Sequence, residues 1–188
     1  LLVSLEEFLK VASEEKFLEV ISNFICLKDP DIEYFIKNKA LLFEMKAKSR
    51  TYLIFDEDAM VEGKFILLAY FTIAIQTLKI PAGTTISQIR KLDGLYAKKG
   101  DEPITEIPAF LIGQLAKNEI YSNLITGDSI LEHTMSVISR AQEIIGGRVV
   151  FIECQDKPQL IQFYIRNGFK VFRQDPDDCL IQMVRLID

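Results

Sequence analysis

The sequence predicts a mixed α/β (α+β) fold, a central sheet flanked by helices. Three observations carry that prediction. The C-terminal half reads strand, helix, strand, helix, strand, strand, an order that lets two strands run parallel with a helix between them. Ile130, Leu131, Thr134, Val137, Ile138, Ala141, Ile144 and Ile145 recur at steps of one, three or four, the clearest helical period in the chain. On either side of that helix, residues 107–116 and 148–153 read as buried strands.

The remaining elements follow in order. Over residues 5–27 the spacing of Phe8, Leu9, Phe17, Val20, Ile21 and Phe24 is helical. Asp29-Pro30 is a helix start, with a capping acid and proline at the first position. Ile32, Phe35, Ile36, Leu42 and Phe43 continue that helical face to about Lys46. Residues 51–55 read as a short strand, and Asp56-Glu57-Asp58 turns the chain. Residues 65–78, rich in β-branched and aromatic side chains, read as one long strand ended by Pro81-Ala82-Gly83. A short helix and loop over residues 84–96 lead to a turn at Lys98-Lys99-Gly100-Asp101. Thr126-Gly127-Asp128 opens the long helix and Gly146-Gly147 closes it. Pro158 opens a shorter helix that Asn167-Gly168 closes. Residues 169–173 and 180–186 read as strands joined through Asp175-Pro176-Asp177. No repeat or linker interrupts the chain. One domain is expected, with residues 1–50 as an N-terminal helical region packed on a core of residues 51–188.

Composition narrows the function classes. A hydrophobic fraction of 49% with 26% charged residues is globular and argues against disorder. The net charge of −5 provides no general attraction to nucleic-acid phosphates, and no dense Lys/Arg run is visible. Both argue against a nucleic-acid partner. Cys26, Cys154 and Cys179 are widely spaced and odd in number, so neither a disulfide framework nor a zinc site is expected. A reducing, cytoplasmic compartment is the simpler reading. The longest apolar stretch, residues 65–75, is interrupted by Thr72 and falls short of the ~20 residues that cross a bilayer. No signal peptide is evident, and no membrane partner is expected.

Two segments carry the candidate chemistry. The first runs Phe110-Leu111-Ile112-Gly113-Gln114-Leu115-Ala116-Lys117-Asn118-Glu119-Ile120-Tyr121, then Ser122 to Asp128, then the long helix. The second is Gln162-Phe163-Tyr164-Ile165-Arg166-Asn167-Gly168-Phe169, which follows the strand Val149-Val150-Phe151-Ile152-Glu153. Over roughly residues 51–186 this arrangement resembles the GNAT superfamily of N-acetyltransferases.

The resemblance implies a GNAT-like mixed sheet in which residues 107–116 and 148–153 form a parallel pair splayed at one end. It implies acetyl-CoA as cosubstrate and no metal. Pantetheine would lie along Gln114, Leu115, Ala116 and Lys117. The pyrophosphate would sit on backbone N–H groups of Ser122, Asn123, Ile125, Thr126, Gly127 and Asp128. The physics of such a turn needs no family name: a helix start leaves N–H groups unpaired at the positive end of the helix dipole, which suits a phosphate.

The sequence departs from the family here. Of the pattern Gln or Arg, Gly, any residue, Gly, any residue, Gly or Ala, aligned on Ser122 to Gly127, only the last glycine survives. Asn123 tolerates positive φ, whereas Ile125 would suffer there. Either the turn has a different backbone, or CoA binding is weak or lost. Asp128 is an awkward neighbour for a phosphate unless its side chain caps its own helix.

For catalysis, the resemblance places a proton donor to the departing thiolate at Tyr164. A phenol with an ordinary pKa near 10 is protonated at neutral pH. Glu106 and Glu153 are the placeable carboxylates for a general base, with a water relay equally open. His133 flanks the apolar stripe of the long helix, and Cys154 has no paired histidine, so both read as structural. The implied acceptor is a small-molecule or peptide amine, and a homodimer is a further candidate assembly. Two other functions fit the fold. One is a non-catalytic module that kept it. The other is an aminoacyl-tRNA-acetylating toxin, against which the acidic balance argues.

Overall fold

A computed structural model of the chain describes residues 1–176 and 179–187. The first residues form a short strand, β1 (Leu2–Ser4), which no local residue pattern signals. Ser4 then caps α1 (Leu5–Val11) in a reciprocal capping box with Glu7. Ser13 caps α2 (Glu14–Ser22) by accepting the Lys16 N–H. The helix expected over residues 5–27 is therefore two helices, because a serine hydroxyl captures backbone N–H groups and restarts the ladder. α3 (Pro30–Asn38) begins on Asp29-Pro30 as read, but the face continues as a separate helix, α4 (Ala40–Met45).

After β2 (Arg50–Phe55), Asp56 acts as a helix cap rather than a turn residue. Its carboxylate accepts the Ala59 N–H at 3.0 Å and starts α5 (Glu57–Val61). β3 (Leu67–Lys79) is the long strand, and a Thr85–Gln88 capping box opens α6 (Ile86–Asp93). The predicted turn at Lys98 is part of a small hairpin of β4 (Lys98–Lys99) and β5 (Glu102–Pro103). β6 (Glu106–Lys117) leads through a 3-10 turn, Glu119–Tyr121, to α7 (Gly127–Ile145). Then come β7 (Val149–Cys154), α8 (Pro158–Arg166), β8 (Lys170–Gln174) and β9 (Ile181–Leu186). Asp177, in the predicted connection between the last two strands, lies outside the described residues.

Seven strands form one mixed sheet in the order β1-β2-β3-β6-β7-β9-β8. β6 and β7 are parallel, as predicted, and α7 is the crossover such a pair requires. β7 and β8 each pair antiparallel with β9. The parallel ladder holds three pairs, Phe110–Val150, Leu111–Phe151 and Ile112–Ile152. Both strands run on past the last pair, β6 to Lys117 and β7 to Cys154. At the end of α7, Gly147 has φ +102°, and any Cβ there would meet the Phe110 ring at 2.8 Å. Only glycine fits both conditions.

The chain divides into two compact units. One comprises Leu1–Ala74 with Gly113–Val137, the other Ile75–Ile112 with Ile138–Asp188. The first has a core of α1, α2 and α3 side chains (Phe8, Phe17, Ile21, Phe35) packed with Leu53, Phe55, Leu67 and Tyr70 of β2 and β3. The second has its own core, in which Ile89 and Leu92 of α6 pack with Ile107, Leu111, Val149 and Phe151. Among the described residues no helix is long and apolar enough to cross a membrane, and no group of three His, Cys, Asp or Glu could hold a metal ion.

Candidate active site

The segment after β6 is built from backbone. Ser122 and Leu124 spend their N–H groups on the carbonyls of Glu119 and Tyr121. The N–H groups of Asn123, Ile125, Thr126 and Gly127 have no hydrogen-bond acceptor among the described residues. Gly127 is the first residue of a 19-residue helix and the other three donors lie in the turn just before it, on the side where the helix dipole adds positive potential. No residue from Ser122 to Asp128 has positive φ. The backbone therefore differs from one that requires glycines, and Ile125 sits in it without strain, 9% exposed. The helix is capped by Thr126, whose hydroxyl accepts the Ser129 N–H at 3.1 Å. A threonine hydroxyl three residues back reaches this N–H directly.

Two residues without an assigned side-chain role fix this turn. Asn118 is 2% exposed; its Oδ1 accepts from Ile25 N at 3.3 Å and Ile120 N at 3.2 Å, and its Nδ2 donates to the Leu67 carbonyl at 3.1 Å. Its own N–H donates to Leu68 O at 2.7 Å. One amide thus joins the end of β6 to β3 and shapes the 3-10 turn. The available signal was an asparagine, a side chain able to bond local backbone, directly after a strand. Lys117, read for its backbone alone, also straps the turn: its ammonium donates to the Ser122 carbonyl at 3.1 Å. Along the same strand Ala116 is buried, Leu115 is half-buried, and the Gln114 side-chain oxygen is buried with no hydrogen-bond partner.

The second unit holds the catalytic candidates. Tyr164 lies in the last turn of α8, 7% exposed, with its ring edge-on to Phe169 at 5.6 Å and Phe163 at 4.9 Å. Burial, with a smaller contribution from Cys154, raises its phenol well above the ordinary range, so it is protonated at any physiological pH. Cys154 is buried, and burial, aided by the charge of Asp156, pushes its thiol up to about 11. That is the setting of an inert thiol. Glu153 is engaged: it accepts from Gln182 Nε2 at 2.7 Å, in a network where Arg173 holds Gln182 and pairs with Asp175 at 2.9 Å. Glu106 opens β6, exposed and without an ion pair among the described residues. His133 is half-buried on α7.

No protein-family model and no characterised protein sequence matches the chain. The fold is shared with solved structures. AtaT complexed with acetyl-methionyl-tRNAfMet superposes with a TM-score of 0.65 at 17% identity, over 86% of this chain and 85% of that one. A tyrosine-to-phenylalanine mutant of KacT gives 0.65 at 19% identity, over 96% and 93%. AtaTR bound with acetyl-CoA gives 0.64 at 18% identity, over 87% and 86%. At these identities the likeness establishes the GNAT-like architecture, a mixed sheet flanked by helices.

Proposed function

We propose that the chain is an acetyl-CoA-dependent N-acetyltransferase. The observation that carries this reading is the set of free N–H groups on Asn123, Ile125, Thr126 and Gly127, in the turn that leads into α7 and at its first residue, a fit for a pyrophosphate that needs no basic side chain. The unpartnered oxygen of Gln114 is an acceptor for an amide N–H of pantetheine. AtaTR, which shares the fold, is bound with acetyl-CoA. Acetyl-CoA supplies an activated thioester. The acceptor amine attacks its carbonyl, the C–S bond breaks, and Tyr164 gives its proton to the departing sulfur. Glu106 is the carboxylate left uncommitted to take the proton from the amine.

A second reading of the acceptor is aminoacyl-tRNA, because AtaT is complexed with acetyl-methionyl-tRNAfMet. The net charge of −5 does not weigh against it, since net charge averages over faces that bind and faces that do not. The test has two stages. Calorimetry with acetyl-CoA should give saturable binding; absence of binding leaves the non-catalytic module. CoA release is then measured with small amines, peptides and charged tRNA, and the class that raises release above background hydrolysis is the acceptor.

A further inference from the structure

We propose that the α6–β4 corner of the second unit is a docking surface for single-stranded nucleic acid, with Tyr96 as its stacking platform. Four of the ten residues from Arg90 to Lys99 are cationic: Arg90, Lys91, Lys98 and Lys99. All four are exposed, and none makes an ion pair among the described residues. The only acid in that stretch, Asp93, is engaged by its own loop, where Oδ2 accepts the N–H groups of Leu95 at 3.2 Å and Tyr96 at 2.7 Å. That turn has a second effect. It holds Tyr96 outward, 63% exposed, at the tip of a loop whose next residue, Ala97, is anchored in the core.

A fifth cation is tied to the same place by packing. Gly94 has φ +95°, and any Cβ there would run into the guanidinium of Arg148. Arg148 therefore lies directly against the loop that presents Tyr96. Glu102 stands opposite Lys99 across the hairpin and, with Asp101 in its turn, offsets part of the hairpin's charge, leaving Arg90 and Lys91 as the least compensated, followed by Lys98. The concentration was not visible as a Lys/Arg run because a helix end and a tight loop separate the two pairs in sequence.

An exposed aromatic with exposed cations on either side of it along the chain suits a base stacked beside its phosphates; an acidic peptide would use the cations and leave the ring idle. The surface deepens the aminoacyl-tRNA reading and rests on it for the identity of its partner. Binding is measured without acyl transfer, so the two fail separately.

The experiment is fluorescence anisotropy of the whole chain with a labelled single-stranded RNA of mixed sequence, titrated from about 50 to 200 mM salt. Affinity should fall with salt. The Lys91→Gln/Lys98→Gln double variant should lower the log–log salt slope by about 1.4, two contacts at ~0.7 each. Tyr96→Ala should weaken binding at least about fivefold at unchanged slope, the lower end of what stacking one base supplies. These side chains are exposed, so thermal melts should match the wild type. No RNA binding at low salt, or binding that none of these variants alters, overturns the proposal. Polyglutamate competing as well as RNA, with Tyr96→Ala silent, overturns it in favour of an acidic protein partner. Normal RNA binding with no acetyl-CoA binding would leave this surface standing and remove the acetyltransferase reading alone.

Discussion

The turn from Ser122 to Asp128 and the last turn of α8 are both candidate functional segments, but they use the chain differently. The turn presents backbone donors, so its capacity depends on φ, ψ and capping and very little on which side chains it carries. Ile125 and Asn123 replace expected glycines without positive φ, and four N–H groups are still free. The α8 segment depends on one side chain. Tyr164 is embedded between Phe163 and Phe169, and its hydroxyl is the group with chemistry to offer. A glycine motif can therefore erode while backbone donors remain free, whereas a phenol has no backbone substitute.

The sharpest challenge to this contrast is Ile125→Gly, which restores a family glycine. It removes a buried side chain and should destabilise the protein by about 3 kcal/mol in denaturant unfolding. CoA affinity should not improve, because the turn needs no positive φ. A clear gain in affinity would mean that the glycine-poor turn is impaired after all.

Tyr164→Phe tests the other side. With an acceptor in hand, turnover and kcat/KM should fall together by about 100-fold, the low end for general-acid help to a fair leaving group. CoA affinity should be unchanged and the ring packing retained. A wild-type rate would reduce Tyr164 to a core aromatic.

Gly127→Pro removes one of the four free N–H groups. The backbone accepts proline there, since φ is not positive and the position is the first of the helix. CoA binding measured by calorimetry should weaken about tenfold, the loss of one hydrogen bond to a charged group. Unchanged affinity in a folded variant would mean that the pyrophosphate sits elsewhere.

The smallest effect is in pH. The folded-state value of Cys154 is raised to about 11, so its burial contributes stability that is complete below a thiol's ordinary value near 9 and is lost as pH rises toward 11. By pH 10 that loss is about 1 kcal/mol. Melting curves of Cys154→Ala should fall less steeply with pH over this window than those of the wild type. Equal slopes would mean that the thiol is not buried as described.

The sequence alone determined most of the architecture. Periodicity placed α7, β3, β6, β7 and α8 within a few residues, because long amphipathic or apolar runs state their own geometry. The resemblance, carried by local patterns of residue type, singled out Tyr164 and the Ser122–Asp128 turn as candidates. Short helices were not legible as separate, since Ser13 and Lys39 interrupt an apolar spacing that reads as continuous. Nor was β1, three residues whose strand character depends on pairing with β2. Only the tertiary structure decided that Ile125 escapes positive φ, that Thr126 caps α7, and that Glu153 is tied to Gln182. It alone gave Asn118 its role, because Leu67 and Ile25, the partners of its amide, lie 51 and 93 residues away in sequence. Hydrophobic spacing is a local record of which face is buried; hydrogen-bond partners distant along the chain leave no such record, and they are what shape this turn.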